Sequence, residues 1–190
     1  MFVSTQGRTK VLSAARALVR RRGYAGVSLR QIAAAAKYSP AGLYAHFPGL
    51  AAILENLADC VRSELGQRLE GAAAREPDPL EQMAAVGMAY IAFAVEHPGE
   101  FELLFRHTKS RKRSMIDPRP SSFDLLRRIA RRIAPDAPPD LIDTACLGLW
   151  STAHGLAVLR ITHLSGADFD WEAWSRRIVL SQARALLCGH

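Results

Sequence analysis

Apolar residues recur at helical spacing along most of this chain, and the most informative example lies between residues 28 and 47. Four apolar positions there occur at i, i+3, i+4 and i+7, on one face of a helix: Leu29, Ile32, Ala33 and Ala36. Ser28 is a suitable N-cap for this helix, and Gln31 completes a capping box. The pattern therefore predicts a short helix that begins after Ser28.

A second short helix is predicted after a turn that contains Lys37 and Tyr38. Ser39 can cap this helix, and the proline that follows it occupies the first position, where a missing N–H has no cost. Leu43 and Phe47 are its inward apolar positions, and the next proline ends the element. Two short helices joined by a tight turn predict a helix-turn-helix.

Similar apolar stripes predict helices along the rest of the chain. The first helix ends at Gly23, and the later ones cover about 50–69, 80–96, 101–107, 122–133, 140–163 and 169–187. No alternating strand pattern and no hairpin turn stands out, so the predicted fold class is all-α. We expect an N-terminal three-helix bundle with the helix-turn-helix (residues 1–50), followed by a C-terminal antiparallel helical bundle that dimerises (residues 51–190).

Charge is distributed unevenly along the chain. Residues 1–50 contain eight Lys and Arg but no Asp or Glu, so the formal net charge of +7 arises entirely from the first quarter. A basic helix-turn-helix on a near-neutral body predicts a DNA-binding protein. The alternative is an ordinary helical hairpin whose Ser, Pro and Tyr side chains serve capping and packing. The absence of acid argues against it, because solvated surfaces mix both signs of charge.

Several short motifs occur together in this basic segment. Arg22-Gly23-Tyr24 follows the first helix, Ser28 begins the second, Ile32-Ala33 lies within it, and Leu43-Tyr44-Ala45-His46-Phe47 ends the third. In this combination, over roughly residues 5–55, the segment resembles the DNA-binding domain of the TetR family of bacterial transcriptional regulators.

Two positions depart from that family pattern. Lys37-Tyr38 replaces the usual Gly-Val of the turn, and Leu50 stands where the family has a lysine that contacts phosphate. One hypothesis is that Lys37 supplies the missing contact. Small residues at the start of the third helix can enter the major groove, and its Tyr and His can reach the DNA backbone. The candidate DNA contacts are Ser28, Arg30, Lys37, Tyr38, Ser39, Ala41, Gly42, Tyr44 and His46.

The C-terminal half contains a Trp150-x-x-x-His154-Gly155 motif, preceded by an aromatic and apolar run from His97 to Phe105. Both resemble a subgroup of TetR-like regulators whose C-terminal domain carries a Trp-His-Gly signature. The resemblance implies that this body binds a small molecule and dimerises through two helices from each subunit. A second interpretation of His154 stays open, namely a hydrogen-bonded core histidine at a helix crossing.

The last two helices, over about 140–163 and 169–187, are more apolar than one small bundle requires, which indicates a homodimer interface. Met and aromatic side chains of the body are candidate contacts for an apolar or aromatic effector, although each can equally belong to the core. The candidates are Met83, Met88, Tyr90, Phe93, Phe101, Phe105, Phe123, Trp150 and His154.

Other kinds of site receive little support from the sequence. The three cysteines are widely separated, which predicts buried thiols rather than a disulfide framework. The six histidines lack zinc spacing, and no phosphate-binding loop, dinucleotide glycine pattern or Gly-x-Ser-x-Gly motif occurs. We therefore expect no metal, no cofactor and no enzymatic activity. No signal-like or membrane-spanning run occurs either, so we expect a cytoplasmic protein without a membrane partner.

These patterns together predict a dimeric, ligand-responsive transcriptional regulator, specifically a repressor that a small effector releases from palindromic operator DNA. Two recognition helices must be about 34–36 Å apart to enter successive major grooves. The first alternative is a sequence-tolerant architectural DNA-binding protein without an effector, and the second is a helical-bundle enzyme. The basic run at residues 109–113 is interpreted as a solvated loop, with a second nucleic-acid patch as its alternative.

Overall fold

The computed structural model describes residues 5–106 and 122–188, and regular structure within those ranges is helical. A short 3₁₀ turn at Tyr24–Gly26 follows the first helix. The α-helices are α1 (Thr5–Arg22), α2 (Leu29–Ala35), α3 (Pro40–Tyr44), α4 (Leu50–Ala73), α5 (Pro79–Glu96), α6 (Pro98–Arg106), α7 (Ser122–Ile133), α8 (Pro139–Ile161) and α9 (Trp171–Leu187). The predicted all-α class is thus confirmed, and the basic run at residues 109–113 lies outside the described residues.

Several predicted helix boundaries differ from the structure by a few residues. Two of these differences have a clear local reason. α4 continues to Ala73 instead of ending near residue 69. Gly71 is exposed within it, and a single glycine costs only about 1 kcal/mol in a helix, which is too little to end a long one. α6 begins at Pro98 rather than at Phe101, because proline is well suited to the first turn of a helix.

The first compact unit contains residues 5–64 and 97–106. Its core forms where the inward stripes of α1 to α4 and α6 meet, and it includes Val11, Leu18, Val19, Ile32, Leu43, Phe47, Ile53, Leu57 and Leu103. α6 lies very close to α1, since a Cβ added at Gly99 would be 2.6 Å from the backbone oxygen of Val19. No pattern in the sequence had indicated that residues 97–106 belong to this unit.

The second compact unit contains residues 65–96 and 122–188. In it, α5 packs against α7, α8 and α9, and α8 packs against α9. Arg127 joins α7 to α8 through two hydrogen bonds to the carboxylate of Asp143, at 2.6 and 2.8 Å. This pairing lowers the pKa of Asp143.

The prediction of buried thiols is wrong for two of the three cysteines. Cys146 is buried, and burial raises its pKa to about 11. Cys60 and Cys188 are exposed. Cys60 falls outside the apolar stripe of α4 that contains Leu57 and Val61, and Cys188 follows the last turn of α9.

Candidate nucleic-acid interface

The turn between α2 and α3 is a Schellman motif. The Tyr38 N–H donates to the Ala33 carbonyl at 2.9 Å, and the Lys37 N–H donates to the Ala34 carbonyl at 3.1 Å. This pattern requires a left-handed residue after the helix, a place usually taken by glycine. Lys37 occupies it with φ 58°, so an exposed cation projects from the turn at a conformational cost.

Both predicted N-caps are confirmed. The Ser28 hydroxyl accepts a hydrogen bond from the Gln31 N–H at 3.3 Å, and the Gln31 side chain accepts one from the Ser28 N–H at 2.9 Å. The Ser39 hydroxyl accepts a hydrogen bond from the Gly42 N–H at 2.9 Å. Ser28 and Ser39 therefore fix the helix starts from within the chain, whatever further contacts they make.

Most candidate DNA contacts lie on the surface of the first unit. Tyr44 is the most exposed of its large hydrophobic side chains, at 56%. Tyr38 and Gly42 are half-buried. They are also neighbours, because a Cβ added at Gly42 would lie 3.8 Å from the Tyr38 ring. The exposed candidates are Ser28, Arg30, Lys37, Ser39, Ala41 and Tyr44.

His46 differs from these residues in its surroundings. It is half-buried, and its Nδ1 atom is fully buried without a hydrogen-bond partner. Its ring packs against Tyr38 with ring centroids 5.0 Å apart. The side chain that was predicted to reach phosphate is therefore held largely within the first unit.

A buried ionic cluster in the first unit was not predicted. The carboxylate of Glu100 on α6 is fully buried and accepts hydrogen bonds from the guanidinium groups of Arg16 and Arg20 on α1. Arg16 also pairs with Glu64, and this bond lowers the pKa of Glu64. No sequence signal linked these residues, since the partners of Glu100 are 80 and 84 positions away.

Leu50, which replaces the expected basic residue, lies at the start of α4 in an apolar setting. With the apolar residues Ala51 and Leu54 it lines a groove of about 520 Å³ in the first unit, opposite the segment from Tyr24 to Val27. Leu50 is thus one wall of an apolar groove, and a charged side chain at that position would be partly desolvated.

In the second unit, three of the candidate ligand contacts meet. The Tyr90 hydroxyl lies 3.0 Å from Nδ1 of His154 and accepts a hydrogen bond from the Trp150 indole N–H at 3.3 Å. Burial raises the pKa of Tyr90 to about 12 and lowers the pKa of His154. The hydrogen bond therefore joins a neutral phenol to a neutral imidazole. Part of the Trp150 ring remains exposed.

The remaining ligand candidates are distributed over several elements. Met83 and Phe93 are buried on α5, and Met88 is half-buried there. The Phe123 ring stacks under the Arg127 guanidinium at 4.7 Å. Phe101 and Phe105 belong to the first unit, where their rings are 5.1 Å apart.

Exposed apolar side chains are concentrated on the two helices predicted to dimerise. Large apolar residues with more than a third of their surface open are Leu147, Trp150 and Leu159 on α8, and Trp174 and Ile178 on α9. Phe169 precedes α9 and stacks on Trp174 with ring centroids 4.8 Å apart. An adjacent face of α9 carries a shallow groove of about 420 Å³, and its lining includes Arg176, Arg177 and Arg184.

Two models of known protein families match this chain. A family model described as "Tetracyclin repressor-like, C-terminal domain" matches residues 83–181, which is more than half of the chain. A second model, "Bacterial regulatory proteins, tetR family", matches residues 11–57. The chain belongs to the TetR family. TetR-family regulators are DNA-binding transcription regulators and not enzymes.

Solved structures share the fold of this TetR-family regulator. A protein with unknown function from Rhodococcus sp. RHA1 is 26% identical, with 99% of this chain and 97% of that chain covered and a TM-score of 0.77. A tetR-family transcriptional regulator from Streptomyces coelicolor is 21% identical, with 99% and 83% covered and a TM-score of 0.70. A TetR variant from Acinetobacter baumannii AYE in complex with minocycline is 15% identical, with 97% and 96% covered and a TM-score of 0.69.

No curated protein matches the chain of this TetR-family regulator. Within residues 5–106 and 122–188, no helix is long and apolar enough to cross a membrane. The same ranges contain no group of three or more His, Cys, Asp and Glu side chains placed to hold a metal ion.

Proposed function

We propose that this TetR-family regulator is a homodimeric repressor that binds palindromic operator DNA through α2 and α3. The observation that carries the proposal is the exposed cation at Lys37, held in the turn of the helix-turn-helix beside Tyr38. Lys37 and Arg30 would neutralise phosphates, and Tyr44 would contact the sugar–phosphate backbone or a base edge. Because Leu50 is apolar, Lys37 takes over the phosphate contact that the family places at the start of α4.

We propose the exposed apolar faces of α8 and α9 as the homodimer interface. Leu147, Trp174 and Ile178 are open to solvent in a single chain, and burial of such side chains is favourable at about 25 cal/mol per Å² of apolar surface. A four-helix contact with two helices from each subunit would bury them. Dimerisation would then place two copies of α3 at the spacing of successive major grooves.

The effector proposed for the second unit is a small apolar or aromatic molecule. The partly exposed Trp150 ring, next to the Tyr90 hydroxyl and His154, offers an aromatic surface with a polar group beside it. The solved TetR variant in complex with minocycline is a precedent for ligand binding on this fold. To release DNA, the effector must favour the non-binding state by about 1–3 kcal/mol.

Selection of genomic fragments by the purified protein tests the proposal. The selected fragments are titrated by fluorescence anisotropy at two salt concentrations, and random DNA of equal length serves as the control. A palindrome bound at least about 10³-fold more tightly than random DNA is the expected result. Binding without a shared motif would instead support a sequence-tolerant architectural protein, and absence of binding at low salt would overturn the proposal.

A further inference from the structure

Gly7, in the first turns of α1, lies directly against the imidazole of His46, in the turn that follows α3. Gly7 is buried, and a Cβ added there would lie 2.9 Å from each ring nitrogen of His46 and closer still to Cε1. Carbon atoms in protein interiors do not approach so closely, so a side chain at position 7 must displace the ring or the helix.

The His46 ring, which meets Gly7, also packs against a second ring. Its neighbour is the Tyr38 ring, with centroids 5.0 Å apart, and the Lys10 ammonium lies 5.2 Å from the centroid of Tyr38. Arg8 holds the backbone, because its guanidinium donates to the His46 carbonyl at 2.7 Å. Displacement of the ring would therefore push Tyr38 outward.

Arg8 fixes the same segment from two further directions. Its guanidinium lies 4.1 Å from the centroid of the Phe47 ring and donates a hydrogen bond to the side-chain oxygen of Asn56 on α4. Arg8 thus joins the start of α1 to the end of the helix-turn-helix. The missing side chain at Gly7 determines how closely these two segments approach.

The state of the His46 side chain points to packing rather than to phosphate binding. Its Nδ1 atom is buried without a hydrogen-bond partner, which is an unfavourable arrangement for a polar atom. The ring nevertheless fills the space between Gly7 and Tyr38.

We propose that His46 is a positioning residue that sets the placement of α3 and Tyr38 against DNA, and that Gly7 is required because only glycine accommodates the ring. This inference rests on the proposed DNA-binding function. Tyr38 connects His46 to the rest of the helix-turn-helix, since the Tyr38 ring adjoins Gly42 in α3 and the residue follows Lys37 in the turn.

The test compares Gly7→Ala, His46→Ala and the double variant with the wild-type chain, using the best fragment from the genomic selection as probe. Gly7→Ala is expected to lower DNA affinity by about tenfold, an effect of ordinary overpacking size. In the His46→Ala background the same change should cost less than about twofold, because the clash is gone. Gly66→Ala is the matched control, since a Cβ there meets open space.

Salt dependence separates positioning from phosphate contact. His46→Ala should leave the slope of log affinity against log salt unchanged, whereas loss of a phosphate contact would reduce that slope by about one. Additive penalties of Gly7→Ala and His46→Ala, or a reduced slope for His46→Ala, would overturn the inference.

Amide hydrogen exchange across residues 38–48 gives a readout that needs no DNA. Exchange should be faster in Gly7→Ala and return in the double variant to the level of His46→Ala. Unchanged exchange in Gly7→Ala overturns the inference even if DNA binds. Failure of the wild-type chain to bind any DNA overturns the proposed function instead, and the exchange measurement still decides whether Gly7 and His46 are coupled.

Discussion

Lys37 combines an unfavourable backbone conformation with an exposed charge. Left-handed geometry costs a residue with a Cβ about 1 kcal/mol relative to glycine. The side chain makes no ion pair within the described part of the chain, and in the proposed function its charge is used on DNA. At this position, stability and DNA binding therefore favour different residues.

Lys37→Gly is expected to raise the free energy of unfolding by about 1 kcal/mol while weakening DNA binding. The slope of log affinity against log salt, which is negative, should also become shallower by about one for each Lys37 that contacts phosphate. Urea denaturation and anisotropy titrations measure the two effects. Lys37→Met is the matched control, because it removes the charge but keeps the strain. Unchanged binding by both variants would exclude Lys37 as a contact.

His154 makes the stability of the second unit depend on pH. Burial lowers its pKa below the ordinary value of 6.5, so the unfolded chain binds a proton more readily than the folded one. Stability is therefore full above pH 6.5 and falls as the pH drops through 6.5 towards the folded pKa.

His154→Asn should flatten this dependence, because the amide group can still form a hydrogen bond with Tyr90 but does not titrate. The measurement is the thermal midpoint between pH 5.5 and 7.5, which should decrease on acidification in the wild-type chain and less in the variant. His163→Asn, an exposed site, serves as control. Equal slopes in wild type and His154→Asn would contradict the prediction.

Single residues were predictable where the interaction is local. The hydroxyl groups of Ser28 and Ser39 each accept a hydrogen bond from the backbone N–H three residues later, so the whole motif is visible in the sequence. Glu100 lies far along the chain from Arg16 and Arg20, and only the folded arrangement of α1 and α6 brings the carboxylate to them. The sequence carried no comparable signal for that cluster.

Helices α1 and α6 are held together at a point where their backbones nearly touch. Gly99 makes this approach possible, because its missing Cβ would lie 2.6 Å from the Val19 carbonyl oxygen, which is backbone and cannot turn away. The neighbouring Glu100 then reaches the arginines of α1. The contact between the two helices thus depends on a small residue followed by an acid.

Gly99→Ala is expected to lower the free energy of unfolding by about 1–3 kcal/mol, because the methyl group forces α6 away from α1. Gly71→Ala is the matched control on an exposed helical position, and it should raise stability by about 0.5–1 kcal/mol. Chemical denaturation of both variants measures the difference. A Gly99→Ala variant as stable as Gly71→Ala would refute the close contact.

Element positions were predicted better than element partners. Helical periodicity located the helices because each buries one face, and that information is local. The packing of α6 on α1 joins segments about eighty residues apart, and it was not predicted. The convergence of Tyr90, Trp150 and His154 was only partly foreseen, since the spacing of Trp150 and His154 is visible on α8 but their partner on α5 is not.

For the whole molecule, the exposed apolar faces of α8 and α9 predict a homodimer. Ile178→Glu, on a residue that is 39% exposed, is expected to give a monomer, because a buried interfacial charge without a partner is strongly unfavourable. Val95→Glu on α5, at 37% exposure, is the matched control and should remain dimeric. Light scattering after gel filtration measures the mass. If Ile178→Glu dimerises as tightly as the wild-type chain, the dimer interface lies elsewhere on the molecule.

The pairing of Arg16 and Arg20 with Glu64 and Glu100 has a consequence for the speed of association with DNA. A cation beside a carboxylate acts at a distance as a weak dipole, and its field fades within the Debye length of about 8 Å at physiological salt. Long-range attraction of a diffusing duplex then comes from the unpaired cations of the first unit. Encounter rates with DNA will therefore be lower than the eight basic residues of the first fifty positions imply.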